Sequence, residues 1–179
     1  MARTIVHRGR KIQVAVDVST GPRGTTIQRD VVLHPGAVAI LPLADDGRVC
    51  LLRNNRPIVD EVLWEVPAGT LEPGEPVEAA AARELAEETG YRAASWHKLA
   101  EFYPSPGVLS EKTVLFVARG LTPGAMRPED DEQLEPVLVP LGEAMARTLD
   151  GTIRDAKTLV ALLLWDRLKE ESMKVERHP

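Results

Sequence analysis

The sequence predicts an α/β chain, or α+β, in which helices cover a mixed sheet, and three observations carry that expectation. Residues 11–18 alternate, with Ile12, Val14, Val16 and Val18 on one face. Ala37 to Leu43 is a short apolar run of the kind that fills a buried strand. Val77 to Thr89 sits between Pro76, tolerated in a helix's first turn, and Gly90, which adopts the left-handed stop conformation at no steric cost.

Taken in order, the alternating segment turns at Gly21-Pro22-Arg23-Gly24 and returns over Thr25 to Val32, an N-terminal β-hairpin. Ala37–Leu43 ends at Asp45-Asp46-Gly47, and Val49 to Arg53 resumes as a second strand. Trp64 lies in a strand leading to Pro67-Ala68-Gly69. After the helix, Trp96–Tyr103 and Thr113–Ala118 read as strands around the loop Pro104-Ser105-Pro106-Gly107, and an acidic loop follows from Pro123 to Glu132. A short strand at Val137–Val139 precedes a helix over Leu141–Leu149. The last helix, from Ala156 to about Glu170, spaces Leu159, Leu162, Leu163 and Leu168 to cover a sheet. The division expected is residues 1–35 as an N-terminal hairpin region and 36–179 as the principal domain.

Length and composition bound the function. A chain of 179 residues with 44% hydrophobic content buries one sizeable core. No apolar run approaches the ~18 residues of a membrane helix, and Met1 to Lys11 lacks the apolar stretch of a secretory signal. A soluble, cytoplasmic protein with no membrane partner is expected. The formal charge of −5 contains no basic block, so nucleic acid is not an expected partner either. Cys50, the single cysteine, lies in Val49-Cys50-Leu51-Leu52 and reads as a small buried thiol.

The chemistry is concentrated between Gly69 and Tyr91. On a helix, Glu84 and Glu88 stand one turn apart with Glu87 beside them, so three carboxylates share one stripe. Their mutual repulsion calls for a cation, and oxygen donors without clustered Cys or His favour Mg²⁺ or Mn²⁺ over zinc. Arg83, four residues before Glu87, can pair with it, while Ala81 and Leu85 lie off the stripe and can pack inward. By itself such a helix matches an ordinary solvated surface. The preceding Gly69, Gly74 and Glu75 make it a loop–helix unit that can present metal ligands together.

That unit resembles the box of the Nudix hydrolase superfamily: Gly69, five residues, Glu75, seven residues, Arg83-Glu84, apolar Leu85, Ala86, Glu87-Glu88, Thr89, Gly90, then a further apolar position. Tyr91 departs from the aliphatic residue more usual at that last position. The resemblance implies an α/β/α sandwich around a mixed sheet and metal-assisted attack of water on a nucleoside diphosphate linked to another moiety. It assigns Glu84 and Glu88 as principal metal ligands and Glu87 as a ligand or its neighbour. The Ala68 carbonyl would contribute a further oxygen, and Glu75 would orient Arg83 or the helix.

Outside the box, Pro106 lies fifteen residues after Tyr91, within Tyr103-Pro104-Ser105-Pro106-Gly107, and Arg56-Pro57 precedes the box. Both are similar to markers of the ADP-ribose pyrophosphatase subgroup. By that resemblance Arg56 contacts the phosphates or stacks near adenine, and Ser105, Gly107 and Glu111 shape the nucleotide pocket. Pro128-Glu129-Asp130-Asp131-Glu132 resembles the subgroup's late acidic loop, with Glu132 as a further metal ligand and Asp130 or Glu129 as general base. Asp130 is shorter than the glutamate more usual there, which leaves open whether Asp130, Glu129 or a metal-bound water alone activates the nucleophile. The subgroup's hairpin exchanges between two subunits. A homodimer is therefore implied, with Arg29 and His34 near the substrate, and a hairpin folded on its own sheet is the alternative. A nucleotide-sugar pyrophosphatase and a non-catalytic ligand-sensing module are the competing functional readings.

Overall fold

The computed structural model describes residues 1–129 and 132–175, with side chains through Leu168. Its N-terminal part is a three-stranded antiparallel sheet of β1 (Ala2–Arg8), β2 (Gln13–Thr20) and β3 (Thr26–Leu33). The β2–β3 hairpin is the one legible in the sequence. Strand β1 was not, because its polar and basic residues lie exposed and bury no alternating face. Arg3 secures it to β2 through a bidentate pair with Asp17, both bonds at 2.7 Å.

The principal sheet contains β4 (Ala37–Leu43), β5 (Arg48–Arg56), β6 (Glu61–Glu65), β7 (Ala68–Thr70), β8 (Tyr91–Phe102), β9 (Thr113–Pro123) and β10 (Leu134–Pro140). Its main path runs β10-β5-β4-β9-β8, with β6 on β5 and β7 on β4. The β4–β9 pair is parallel and the other ladders are antiparallel, so the sheet is mixed. Strand β8 begins five residues before the expected Trp96. Its first part buries only Tyr91 and Ala93, and those partly, so pairing with the end of β9 makes it a strand more than burial does.

Every residue of β4 is buried because helices cover both faces. Val38 and Ile40 pack with Ala80, Ala81 and Leu85 of α1 (Val77–Thr89). Ala39 and Leu41 face the opposite way, toward Ala144 of α2 (Leu141–Leu149) and Ala161 and Leu162 of α3 (Ala156–Val175). This gives the expected α/β/α sandwich. Cys50 lies wholly within it, and burial pushes its thiol up to about 12. Among the described residues, no helix is long and apolar enough to cross a membrane.

One irregularity positions the site. Strand β4 pairs with β5 only at Leu43↔Val49, while its first residues, Ala37 to Ala39, pair instead with β7. The sheet therefore splays, and Ile40 N–H donates to the Pro67 carbonyl at 2.8 Å. The divergence brings the ends of β5 and β6 and the backbone of β7 to one cleft beside α1.

Candidate active site

The cleft has a volume of about 900 Å³ and lies between the loop–helix unit, the β5–β6 end, the start of α3 and the β1–β2 turn. Its floor is made by α1. Gly90 ends that helix at φ 73°, and a side chain there would collide with the Gly124 carbonyl at 2.7 Å. Gly69 is required for a different reason: a Cβ at that position would overlap the Glu84 carboxylate. The box glycines thus let loop and helix approach until Glu84 lies against the β7 backbone.

Glu88 is buried and its Oε2 accepts the Ala68 N–H at 2.9 Å. Burial raises its pKa well above the ordinary carboxylate value; the Ala68 N–H opposes the shift, and the charges of Glu84 and Glu132 add to it. Glu84 is likewise raised, chiefly by burial, against the opposing effect of Arg83. Two buried carboxylates that resist ionisation are the signature expected where a cation offsets their charge. The donor set fits a hard divalent ion: Glu84 and Glu88, with the Ala68 carbonyl and Glu132 at the same cleft. Among the described residues, no three acidic side chains converge tightly enough to chelate an ion alone.

Arg83 organises the carboxylates. Its Nε and Nη2 donate to the two oxygens of Glu75, both at 2.9 Å, and its Nη1 bridges Glu84 at 2.7 Å and Glu87 at 3.0 Å. Glu75 is held below the usual carboxylate range by that guanidinium. The expected role of Glu75 as the orienting partner of Arg83 therefore has a direct geometric basis. Glu87 is the most exposed of the three helix acids and lines a second, smaller pocket with Gly90 and Arg127 rather than the main cleft.

The other expected residues separate into two groups. Arg56, His34, Glu111, Glu129 and Glu132 line the cleft. Gly36 N–H donates to His34 Nδ1 at 3.1 Å, leaving the ring proton for Nε2, which faces Thr70 Oγ1 at 3.5 Å and Glu111 at 3.9 Å. Glu129 pairs with Arg10 at 3.1 Å and Lys11 at 3.3 Å, and its N–H donates to Glu132 Oε2 at 2.9 Å. Asp130 lies outside the described residues.

Arg29, Ser105 and Gly107 are not brought to the cleft of this chain. Arg29 extends from β3 and donates to Ser19 Oγ at 3.2 Å. The Ser105 carbonyl accepts the N–H groups of Val108 and Leu109 at 3.2 and 2.9 Å, so Ser105 to Gly107 serve here as a turn. That turn supports the N-terminal sheet, since Val32 N–H donates to the Val108 carbonyl at 2.7 Å.

The sequence reading missed Glu65, Lys157 and the Arg10-Lys11 turn. Glu65 is buried and binds Arg56 at both oxygens, 2.8 Å to Nε and 2.6 Å to Nη2. That pair raises the Arg56 pKa against the effect of its partial burial. A charged residue ending the apolar stretch Val62-Leu63-Trp64 was the available signal, because a buried acid requires a partner.

The fold and these oxygen donors define an α/β/α sandwich whose loop–helix unit presents carboxylates to a cleft that is also lined by Arg56, Arg83 and Lys157. The NUDIX domain family matches residues 33–162, and the chain belongs to that family, whose members use divalent metal ions. The chain is 36% identical over 164 residues to the ADP-ribose pyrophosphatase of Bacillus subtilis (strain 168), covering 90% of this chain and 89% of that protein. It is 35% identical over 159 residues to the methanol dehydrogenase activator of Bacillus methanolicus, covering 88% and 86% respectively. A solved structure described as an ADP compounds hydrolase superposes with TM-score 0.84 at 26% identity, covering 96% of this chain and 94% of that one.

Proposed function

We propose that the chain hydrolyses the pyrophosphate bond of ADP-ribose, giving AMP and ribose 5-phosphate. The observation that carries this reading is the meeting of Glu84, Glu88 and Ala68 with Arg56 in one cleft. The carboxylates suit a metal-bound diphosphate, and a guanidinium suits its phosphate oxygens. The similarity to an ADP-ribose pyrophosphatase supplies the choice of nucleotide.

Mg²⁺ is the proposed metal, with Mn²⁺ as the substitute, held by Glu84, Glu88, the Ala68 carbonyl and Glu132, while Glu87 acts on the set through Arg83, which bridges it to Glu84. When bound, such an ion neutralises the diphosphate and makes water more acidic. Water oxygen forms a new bond to phosphorus, the bridging P–O bond breaks, and the released phosphate takes the bond's electron pair. The proton lost by water passes to a carboxylate of the acidic loop. Asp130 is favoured over Glu129 for that role, because the Glu129 carboxylate is already engaged by Arg10 and Lys11. Arg83 orients Glu84 and Glu87, and Arg56, His34 and Glu111 bind substrate.

A cytoplasmic homodimer is proposed, with residues 1–35 as the dimerisation element and 36–179 as the catalytic domain. In that arrangement Arg29, which is remote from its own chain's cleft, serves the partner's. The exposed apolar residues Val6 and Val18 of the N-terminal sheet support an interface there.

Hydrolysis of ADP-ribose, ADP-glucose and GDP-mannose, compared side by side with Mg²⁺, tests the assignment. Selective turnover of ADP-ribose is expected. Equal turnover of all three would retain the metal site and replace the reading with a broad nucleotide-sugar pyrophosphatase.

A further inference from the structure

We infer that Lys157 is a second anion-binding residue of the cleft, paired with Arg56, and that the carboxylates of Glu65 and Asp155 are positioning residues that aim the two cations. The inference rests on reading the cleft as a diphosphate site and adds to it residues of α3.

Helix α3 begins with a side-chain cap. Asp155 Oδ2 accepts the Thr158 N–H at 2.9 Å and its hydroxyl at 2.8 Å. The same threonine oxygen accepts the Val66 N–H at 2.8 Å, a buried bond that fastens the helix start to the residue following Glu65. Lys157 thereby occupies the first turn of α3, where the positive end of the helix dipole disfavours a cation. Its position is instead fixed by side chains: Nζ lies 2.7 Å from Asp155 Oδ1 and 3.9 Å from Glu65 Oε2, and the residue lines the cleft.

Glu65 Oε2 is thus shared. Arg56 Nη2 approaches it at 2.6 Å and Lys157 Nζ at 3.9 Å, so both cationic heads gather on one oxygen of a carboxylate whose side chain is 3% exposed. Asp155 is lowered in pKa despite the opposing effect of burial, first through the charge of Lys157. Two acids and two bases form a locally balanced cluster. Glu65 engages Nε and Nη2 of Arg56, which leaves Nη1 for a ligand, and an ammonium has three donors, of which Asp155 takes one. The remaining donors suit two oxygens of one diphosphate. Neither acid touches the ligand in this scheme; each fixes a cation that does.

Calorimetric titration with ADP in EDTA reads binding without metal or turnover, and steady-state hydrolysis of ADP-ribose separates KM from kcat. Lys157→Met is expected to weaken ADP binding and raise KM by about tenfold, with kcat within about twofold, and Lys157→Arg to regain most of both. Asp155→Asn keeps a good helix cap while removing the charge that holds Lys157. A positioning role predicts weaker ADP binding in this variant even though the cleft becomes more positive. Unchanged ADP affinity and KM in Lys157→Met would overturn the anion-binding role, as would a loss of kcat alone. Tighter ADP binding in Asp155→Asn would overturn the positioning role. If the unmodified chain does not hydrolyse ADP-ribose, a loss of ADP binding in Lys157→Met still supports the inference while the substrate reading fails.

Discussion

The Ala68 N–H donates to Glu88 Oε2 at 2.9 Å, joining the backbone of β7 to the most deeply buried acid of α1. A residue that lines the cleft thereby also holds the Glu88 carboxylate. Strand and helix are fixed relative to each other by a group that also serves the site, so changes at Glu88 separate chemistry from architecture.

Glu88→Gln retains an oxygen that accepts the Ala68 N–H but removes the charge. Activity is expected to fall at least about a hundredfold, while the metal-free variant melts no lower than the unmodified chain and, above the ordinary carboxylate range, higher. Circular dichroism melts in EDTA and a hydrolysis assay check the two halves separately. A parallel loss of fold and activity would show that the charge itself is structural.

Gly69→Ala places a methyl group on the Glu84 carboxylate. Either that side chain or the loop must shift, and a displaced metal ligand is expected to cost about tenfold or more in kcat/KM. Titration with Mn²⁺ followed by electron paramagnetic resonance should show weaker binding. Undiminished Mn²⁺ affinity would contradict the placement of Glu84 as a ligand.

The pH dependence of stability follows from the sign of the shifts. Glu84 and Glu88 are raised in the folded chain, chiefly by burial. Their contribution is complete below the unfolded value of about 4.3 and is lost as pH rises through the folded values. Glu75 is lowered by Arg83 and acts in the opposite sense, its contribution being present above the ordinary range and lost as pH falls through its folded value. Melting temperature in EDTA should therefore decline as pH rises from the ordinary carboxylate range through the raised values, and a divalent cation should reduce the decline. Glu88→Gln should flatten it; a profile as steep as that of the unmodified chain would remove Glu88 as its source.

Glu75→Gln tests the guanidinium bridge. Loss of the charged partner of Arg83 is expected to cost about 1 kcal/mol, discounted for partial exposure. For a chain of this size the melting temperature should fall by about 2–4 °C. Metal affinity should fall as well, because Arg83 also bridges Glu84 and Glu87. Unaltered metal affinity would confine Glu75 to a structural role.

Legibility in the sequence followed the range of the interactions. The bounds of α1 could be read from Pro76 and Gly90 because helix ends are local chemistry. Those of β4 followed from an unbroken apolar run that only a strand covered on both faces requires. The contact of Arg83 with Glu87 follows from helical spacing, whereas its clasp on Glu75 was implied by the family resemblance and not by spacing. The Arg56–Glu65 pair depends on strand register between β5 and β6, which spacing alone does not set. Lys157 reaches the cleft only because α3 returns across the sheet to the end of β6. Arg29, Ser105 and Gly107 were expected at the nucleotide pocket from resemblance, and within one chain their hydrogen bonds serve the hairpin and the turn instead.

The most direct measurement of the central claim is turnover of ADP-ribose by the purified chain with Mg²⁺, with AMP and ribose 5-phosphate quantified as they form, beside Glu88→Gln. The account predicts equal amounts of the two products from the unmodified chain and loss of both in the variant. Absence of turnover in the unmodified chain, or turnover undiminished in Glu88→Gln, would contradict it.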